Sequence, residues 1–312
     1  MEFVFSNWAK KLITLTIFFG SLYFFYRYRE EFYLFLKITP SSFIALSFFT
    51  ILSLIINGNK LRLITESFKI QLSLKEWLGL AFISSFLNGV VYKSGSLITS
   101  NYLKRNHNFS YSSFIGALGA DHLVMILINA CLGLLASIYV ATLSTINFFI
   151  IFLFLSILIG VAYLFRTPFE FFKSKNRVFD AILRASETLN KILHNKPLFN
   201  KLFLNNLFLI IAIGLRFYFA CQAIGINFEL FYCYIFTTVS AFIRLIPMLQ
   251  SDIGSREFAV GFLSQSFGSG FKQGALATAV DRIFEMTWAL IGIAIFKNLL
   301  FNTIFSSNKN KV

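Results

Sequence analysis

Seven charged residues lie within a short stretch of an otherwise apolar sequence, and they are the side chains most able to do chemistry. They are Arg244, Asp252, Arg256, Glu257, Asp281, Arg282 and Glu285. A polar segment that includes Pro247 and Gly254 interrupts the hydrophobic sequence among them. Charge and irregular backbone at membrane depth are tolerated only where protein or a water-filled cavity shelters them. The stretch therefore predicts a charged intramembrane cavity.

The spacing of the last three charges predicts how they pair. They lie seven to eleven residues into the final apolar run, roughly 11 to 17 Å deep at about 1.5 Å per residue. Facing lipid, each would cost on the order of 2.5 to 3.5 kcal/mol, so they are expected to face the protein and pair. Asp281 and Glu285 share a helix face, and Arg282 can contact Glu285. The carboxylate left over pairs with Arg256 or Arg244, although a buried ion pair can also serve only to fix helix register.

The arginines indicate the chemical class of the ligand. Guanidinium groups hold phosphate through paired hydrogen bonds, and a helix that begins near Ser255 would direct its N-terminal N–H groups at the same place. The sequence thus predicts a phosphate-bearing lipid headgroup. Weaker candidates for the same cavity are Lys93, Asp121, His122 and Arg216. The alternatives are an interfacial lysine that only snorkels and a histidine that only bonds between helices.

Metal and cofactor chemistry has no pattern in this sequence. Cys131, Cys221 and Cys233 lie singly in apolar runs without the spacing of metal ligands. There is no paired-histidine motif, no Gly-x-Ser-x-Gly elbow and no multi-aspartate cluster. The sequence therefore predicts neither a metal nor a cofactor, and it favours a protein that is not an enzyme.

Composition predicts the elements that must position these residues. The chain is 57% hydrophobic and 13% charged, which is typical of an all-α polytopic membrane helix bundle. We expect one integral membrane domain over residues 1–312, in which the first apolar run is an uncleaved span. About 20 apolar residues cross a bilayer, and about eight runs approach that length: 9–26, 41–57, 77–92, 112–140, 145–165, 202–224, 231–247 and 274–296.

The net charge of +14 predicts orientation in a membrane, because the basic residues lie mainly between the apolar runs. The segment 166–201 carries eight basic and three acidic residues and should be cytoplasmic. It is expected to form an amphipathic helix on the membrane surface or a connector packed on the spans. Residues 60–75 are also basic, yet a count of five earlier spans would place them outside. The orientation of the N-terminal half therefore stays open.

A weak two-half repeat is visible in the spacing of glycine and aspartate. Gly95 precedes Asp121 by 26 residues and Gly254 precedes Asp281 by 27, and a further glycine follows each aspartate after 12 and 11 residues. Each half has a polar break before its aspartate. The pattern predicts two re-entrant or broken segments that meet at a midplane site, as in many transporters. Chance similarity among apolar helices is the alternative.

The second half resembles a known family. Leu245-Ile246-Pro247, Gly254-Ser255-Arg256-Glu257, Arg282 and Gly292 are similar to the pattern of the lysylphosphatidylglycerol synthase transmembrane region, also called flippase-like. The resemblance implies a membrane module with re-entrant segments that moves lipids between leaflets. It also implies functional roles for Pro247, Gly254, Arg256, Glu257 and Arg282. The family's earlier motif is degraded near residues 92–103, which lack its proline and acidic residue.

Together these features predict a multi-pass protein of the cell membrane that translocates a phosphate-bearing lipid or lipid-linked headgroup. The expected partners are anionic or phosphate-bearing membrane lipids, and nucleic acid is not expected. The soluble aminoacyl-transferring domain of the synthases has no place in these residues, so aminoacylation by this chain alone is not expected. Two alternatives stay open: an intramembrane lipid-modifying enzyme, and a non-catalytic subunit of a lipid or glycan assembly pathway.

Overall fold

The computed structural model describes residues 38–91, 93–140, 145–166, 177–243 and 255–296. Within these ranges the chain forms ten helices and no strand, which confirms the predicted all-α class. The helices are α1 (Pro40–Glu66), α2 (Leu74–Val90), α3 (Ser94–His107), α4 (Tyr111–Val140), α5 (Thr145–Arg166), α6 (Arg177–Leu193), α7 (Lys196–Ala223), α8 (Leu230–Ile243), α9 (Ser255–Ser266) and α10 (Phe271–Ile295).

Local sequence explains where several helices begin. The Thr39 side chain caps α1, Asn195 caps α7, and each of these helices has a proline in its first turn, where no hydrogen bond is lost. Ser73 and Glu76 form a reciprocal capping box at the start of α2. Among the described helices, α1, α4, α5 and α7 are long and apolar enough to cross a membrane.

The third predicted span, residues 77–92, is one arm of a hairpin. Glu76 in the first turn of α2 accepts hydrogen bonds from Tyr102 and His107 near the end of α3, so the two helices are antiparallel. Their 17 and 14 residues correspond to arms of roughly 26 and 21 Å, shorter than a hydrocarbon core of about 30 Å. The chain thus returns to the end of the bundle from which α2 started.

This hairpin removes the conflict over orientation. Residues 60–75 and the basic segment before α7 now lie at one end of the bundle, since the Lys191 ammonium sits 4.8 Å from the centre of the Phe68 ring. We call this end the basic end. Its lysines and arginines are Arg62, Lys69, Lys75, Lys104, Arg105, Arg184, Lys191, Lys196 and Lys201.

Helix α6 packs against the bundle at the basic end. Gly116 of α4 lies so close to the Ala185 backbone that a Cβ atom would clash, and Ile192 is fully buried. Ser186 and Thr188 are buried as well. This arrangement corresponds to the second alternative for the basic segment, a connector packed on the spans.

The two halves of the chain repeat the same order of helices in opposite directions. Helices α1 and α7 pack antiparallel, with the Phe49 and Phe219 rings stacked at 5.5 Å and Asn59 bonded to Asn205. The hairpin α2–α3 opens at the basic end, whereas α8 starts and α9 finishes at the opposite end, where Phe267 contacts Tyr232. Helices α4 and α10 then cross in opposite directions. The order α1 to α4 thus recurs as α7 to α10, in agreement with the predicted two-half repeat, and the structure shows that the second copy is inverted.

Candidate functional site

Asp281 is the centre of a buried ion network. Its carboxylate accepts two hydrogen bonds from Arg216, at 2.6 Å from Nε and 2.9 Å from Nη2, and one at 2.7 Å from Nη2 of Arg256. Asp281 is fully buried, and both arginines are 2% exposed. Helices α10, α7 and α9 each contribute one of these charges.

Two further side chains complete the network around Arg216. Its Nη2 donates to Glu285 at 2.8 Å, and its Nη1 donates to Ser53 of α1 at 3.2 Å. Asp281 and Glu285, one turn apart on α10, therefore both pair with Arg216. We call Ser53, Arg216, Arg256, Asp281 and Glu285 the Asp281 cluster.

Both predicted broken segments approach α10 at this cluster. Gly89, near the tip of the α2–α3 hairpin, packs on Met286, and α9 begins beside Asp281. Directly after Asp281 in the sequence, Arg282 has its Nε 3.4 Å from Glu257 Oε1, a second ion pair between α10 and α9. Close approach of these two helices depends on Gly274, where a Cβ would clash with the Val260 carbonyl. The end of α2 and the start of α9 thus both meet α10 within the stretch 281–286.

Arg256 has unused hydrogen-bonding capacity. Its Nε and Nη1 atoms are buried and have no acceptor within the part of the chain that the structure describes. A buried donor without an acceptor costs about 1 to 3 kcal/mol, more for a charged group. Carboxylate and phosphate oxygens are the acceptors that a guanidinium best matches. Arg256 is therefore fixed by Asp281 on one side while its other donors remain available to an anion.

A second buried ion pair lies away from the Asp281 cluster. Lys60 Nζ is 2.8 Å from Asp121 Oδ2, and Asn206 donates a 2.9 Å hydrogen bond to Asp121 Oδ1. Asp121 and Asn206 are fully buried. We call Lys60, Asp121 and Asn206 the Asp121 cluster. It lies ten residues from Arg216 along α7, about 15 Å at the rise of an α-helix.

The two clusters occupy equivalent places in the two halves. Lys60 and Arg216 each lie 20 residues after the first residue of their helix, α1 and α7. Asp121 and Asp281 each lie ten residues after the first residue of α4 and α10. The repeated spacing of the sequence therefore corresponds to a repeated ion pair in the structure.

The predicted site residues divide into several groups. Arg256 pairs with Asp281 as expected, but Arg282 pairs with Glu257 and Glu285 with Arg216, instead of Arg282 with Glu285. The spacing of residues within one helix does not predict the partners that α7 and α9 provide. Arg256 and Asp281 are also in direct contact, with no space between them. Four predicted residues lie outside the described ranges: Arg244, Pro247, Asp252 and Gly254.

The weaker candidates have different outcomes. Arg216 is central to the Asp281 cluster, and Asp121 forms its own cluster. His122 is exposed and bonds to the Leu118 carbonyl of its own helix, so it does not join Asp121 in a site. The side chain of His122 points away from that of Asp121, because neighbouring residues on a helix point about 100° apart. Lys93 lies at the tip of the α2–α3 hairpin with a left-handed backbone, φ 59°.

Sequence reasoning missed Lys60, Asn206 and Ser53. Lys60 was assigned to a connection, because the apolar run appeared to end at residue 57, whereas α1 continues to Glu66. Lys60 lies seven residues, about two turns, beyond the buried Ser53 on the same face of a helix of 27 residues, and this signal was available only with the correct helix boundary. Asn206 and Ser53 are ordinary polar residues of apolar helices and gave no signal.

A cavity of about 750 Å³ lies at the basic end rather than at either cluster. Its lining combines charged, polar and apolar side chains at the end of α1 and the start of α2: Arg62, Glu66, Lys69, Gln71, Leu72, Leu74 and Trp77. Ser53 of the Asp281 cluster is nine residues from Arg62 along α1, about 14 Å. The cavity is therefore a feature of the bundle end and not of the buried ion network.

Inverted halves and buried charges between apolar helices define a helical membrane protein. The family model for the lysylphosphatidylglycerol synthase TM region matches residues 12–293, and the chain belongs to this family. The match covers both halves of the inverted repeat. None of the curated proteins or solved structures compared with the chain matches it.

Proposed function

We propose that this protein moves a phosphate-bearing lipid or lipid-linked headgroup between the leaflets of the cell membrane, without changing the lipid chemically. The headgroup would bind at the Asp281 cluster while the hydrocarbon chains remain in the bilayer. The chain would cross the membrane several times, with the basic end on the cytoplasmic side.

One observation carries this proposal: Arg256, fully desolvated, offers two donor atoms for which no described residue is an acceptor. A phosphate oxygen fits both the charge and the geometry of those donors. Arg256 stands at the start of α9, where the N-terminal N–H groups of a helix also favour an anion. The bond to Asp281 keeps the guanidinium in place when no ligand is bound.

The two hairpins support movement of the headgroup from either side. They enter the bundle from opposite ends, and Gly89 of α2 and the start of α9 both contact α10 within residues 281–286. Access from one leaflet would require displacement of α9, and access from the other would require displacement of the α2–α3 hairpin. Related inverted hairpins allow alternating access around a fixed binding site.

Reconstitution in vesicles tests the proposal. Vesicles with the full-length protein would receive, in separate experiments, a fluorescent phospholipid or a fluorescent polyprenyl phosphate, and an impermeant quencher would report the fraction left in the inner leaflet. We expect exchange of one of these lipids between leaflets. In Arg256→Ala the rate should fall at least tenfold, because a charge-assisted hydrogen bond is worth about 1.5 to 3 kcal/mol.

The matched control is Arg184→Ala, which removes an exposed arginine from α6. This variant should translocate at the wild-type rate. An unchanged distribution of every phosphate-bearing lipid, with protein that elutes as a folded species, would overturn the proposal. A new lipid product in the same vesicles would instead favour the intramembrane enzyme, and equal rates for Arg256→Ala and wild type would favour a scaffolding subunit.

A further inference from the structure

The geometry of the Asp121 cluster points to a second site with a different chemistry. We propose that Lys60, Asp121 and Asn206 form a proton-exchange site, and that this site couples translocation to a proton gradient. The existence of the site is independent of the proposed function, whereas the coupling rests on it.

The identity of the cation separates the two clusters. Arg216 pairs with Asp281 through two nitrogens, and an arginine in a protein does not give up its proton. Lys60 stands at the equivalent helix position, and a lysine ammonium, unlike a guanidinium, can give up a proton to a neighbouring base. The inverted repeat has therefore placed a fixed charge in one half and an exchangeable one in the other.

The contact between Lys60 and Asp121 is suited to proton transfer. Nζ and Oδ2 are 2.8 Å apart, yet Oδ2 has no well-directed hydrogen bond from any described residue. In the transfer an N–H bond of the ammonium breaks and its electron pair stays on nitrogen. An O–H bond forms from a carboxylate lone pair, and the pair remains neutral. Uptake of one proton from water by the amine then leaves a net charge of +1.

Asn206 can accommodate both states of Asp121. In the structure its Nδ2 donates to the Asp121 carboxylate, while its Oδ1 is buried and has no partner among the described residues. A protonated carboxyl group requires an acceptor, and rotation of the amide about its last bond would present Oδ1 in place of Nδ2. The amide of Asn206 can therefore hydrogen-bond to Asp121 whether the carboxyl group accepts or donates. Arg256 and Arg216 could not do this for Asp281, since a guanidinium only donates.

Lys60 is the more exposed of the two equivalent cations, since its side chain is 13% exposed, against 3% for Arg216. Two residues further along α1, Arg62 lines the cavity at the basic end. The proposal therefore has protons enter the Asp121 cluster from the basic end.

Asp121 is otherwise surrounded by uncharged groups. From α1 it faces Lys60, and from α7 it faces Asn206. Helix α6 presents Ala185, Thr188 and Leu189 to α4, and its charged Glu187 and Lys191 are exposed. Helices α5 and α8 pack on the later part of α4, where Gly133 meets Phe154 and Tyr139 meets Phe231. Among the described residues, Lys60 is thus the charged group in contact with Asp121.

Infrared difference spectroscopy of the reconstituted protein tests the site without any lipid substrate. Acidification of wild-type protein should produce the carbonyl band of a protonated carboxyl group. That band should be missing from the difference spectrum of Asp121→Asn and also from that of Lys60→Arg, which keeps the ion pair but replaces the exchangeable cation. Lys196→Arg, on an exposed residue at the start of α7, is the matched control and should keep the band.

The coupling is tested in the vesicle assay with an imposed proton gradient. We expect the gradient to change the translocation rate of wild-type and Lys196→Arg protein at least threefold, and to leave the rate of Lys60→Arg unchanged. Retention of the infrared band in Asp121→Asn or in folded Lys60→Arg would overturn the site. A gradient without effect on an active wild type would overturn the coupling, and absence of any translocation would instead overturn the proposed function.

Discussion

The Asp281 cluster and the Asp121 cluster occupy equivalent places in two inverted halves, but they hold their carboxylates differently. Asp281 is bound by two arginines from two helices, one of them at the start of a re-entrant helix. Asp121 has one lysine and one amide, and both come from long helices of the bundle. In the first half, Gly95 stands at the second residue of α3, the place that Arg256 holds in α9.

This difference shows how an inverted repeat can divide two tasks. The half with Arg256 has an excess of donors directed at an anion, whereas the half without it keeps a single, partly accessible cation. The half with the degraded motif is also the half without an arginine at this position, where Gly95 stands. The comparison predicts unequal consequences when equivalent residues are altered.

Asp281→Asn should have the largest effect on stability. It leaves two buried arginines without their carboxylate, and breaking a buried ion pair from one side costs about 3 to 5 kcal/mol. Unfolding of the purified protein in detergent, followed by circular dichroism, would measure the loss. Asp180→Asn, on an exposed aspartate of α6, is the matched control. Equal stability of Asp281→Asn and wild type would contradict the role of the network in the fold.

Gly292→Ala and Gly133→Ala test the equivalent glycines of the repeat. An added Cβ at position 292 would clash with the ring and the Cβ of Phe82, whereas at position 133 it would clash with the outer edge of Phe154. Overpacking costs about 1 to 3 kcal/mol of folding stability. We expect the larger loss for Gly292→Ala, because the Cβ of Phe82 is fixed to the backbone, whereas the outer edge of the Phe154 ring can move.

Gly160→Ala is the control for this pair, because nothing lies within 4 Å of a Cβ at that position. It should be neutral or slightly stabilising, since alanine favours a helix. A loss for Gly160→Ala as large as that for Gly292→Ala would mean that close packing is not the cause. Unfolding midpoints in the same detergent would decide the order.

Asp121→Asn should lower the free energy of unfolding by about 1 kcal/mol. This loss is smaller than the loss expected for Asp281→Asn. The amide can still bond to Asn206, and the partly exposed Lys60 can extend its ammonium towards the basic end. The same unfolding measurement applies, with Lys60→Arg as the companion variant that preserves the pair. A loss of stability equal to that of Asp281→Asn would show that Lys60 is held in the protein as tightly as Arg216 and Arg256 are.

Protonation of Glu76 should give the smallest effect, a loss of folding stability in the wild-type protein at acidic pH. Burial raises its pKa, but hydrogen bonds from Tyr102, Ser73 and His107 outweigh burial and hold the pKa at about 2, below the ordinary 4.5. The lowered pKa means that the stabilisation is present above pH 4.5 and is lost as the pH falls towards 2. The side chain is partly exposed, so solvent screening limits the gain to less than about 1 kcal/mol.

The variant Glu76→Gln isolates this term. Its stability relative to wild type should be lower at neutral pH, and the difference should disappear in acid. Glu187→Gln, on the exposed face of α6, should show no such pH dependence. A difference that grows as the pH falls would contradict the assigned hydrogen bonds. Among the described residues of the second half, no carboxylate makes the equivalent hydrogen bonds between α8 and α9. The pH dependence therefore reports on the α2–α3 hairpin alone.

Several features of the fold could be predicted from the sequence because they depend on local patterns. Apolar runs predicted the helical class, and the glycine and aspartate spacing predicted two related halves with polar breaks. A carboxylate of α10, Asp281 or Glu285, was predicted to pair with Arg256 or Arg244 because these charges cannot face lipid. The return of the α2–α3 hairpin could not be predicted, since an arm of 17 residues and a membrane span have the same composition.

The sequence by itself determined that this chain is a helical membrane protein with charges that must be buried in protein, and it indicated a weak two-half repeat. Only the tertiary structure decided which charges meet. Arg216 joins Asp281 from 65 residues away, and Lys60 joins Asp121 from 61, on helices whose facing sides depend on how α1 and α7 pack. Periodicity identifies a buried face, but the partner across that face depends on the packing of whole helices.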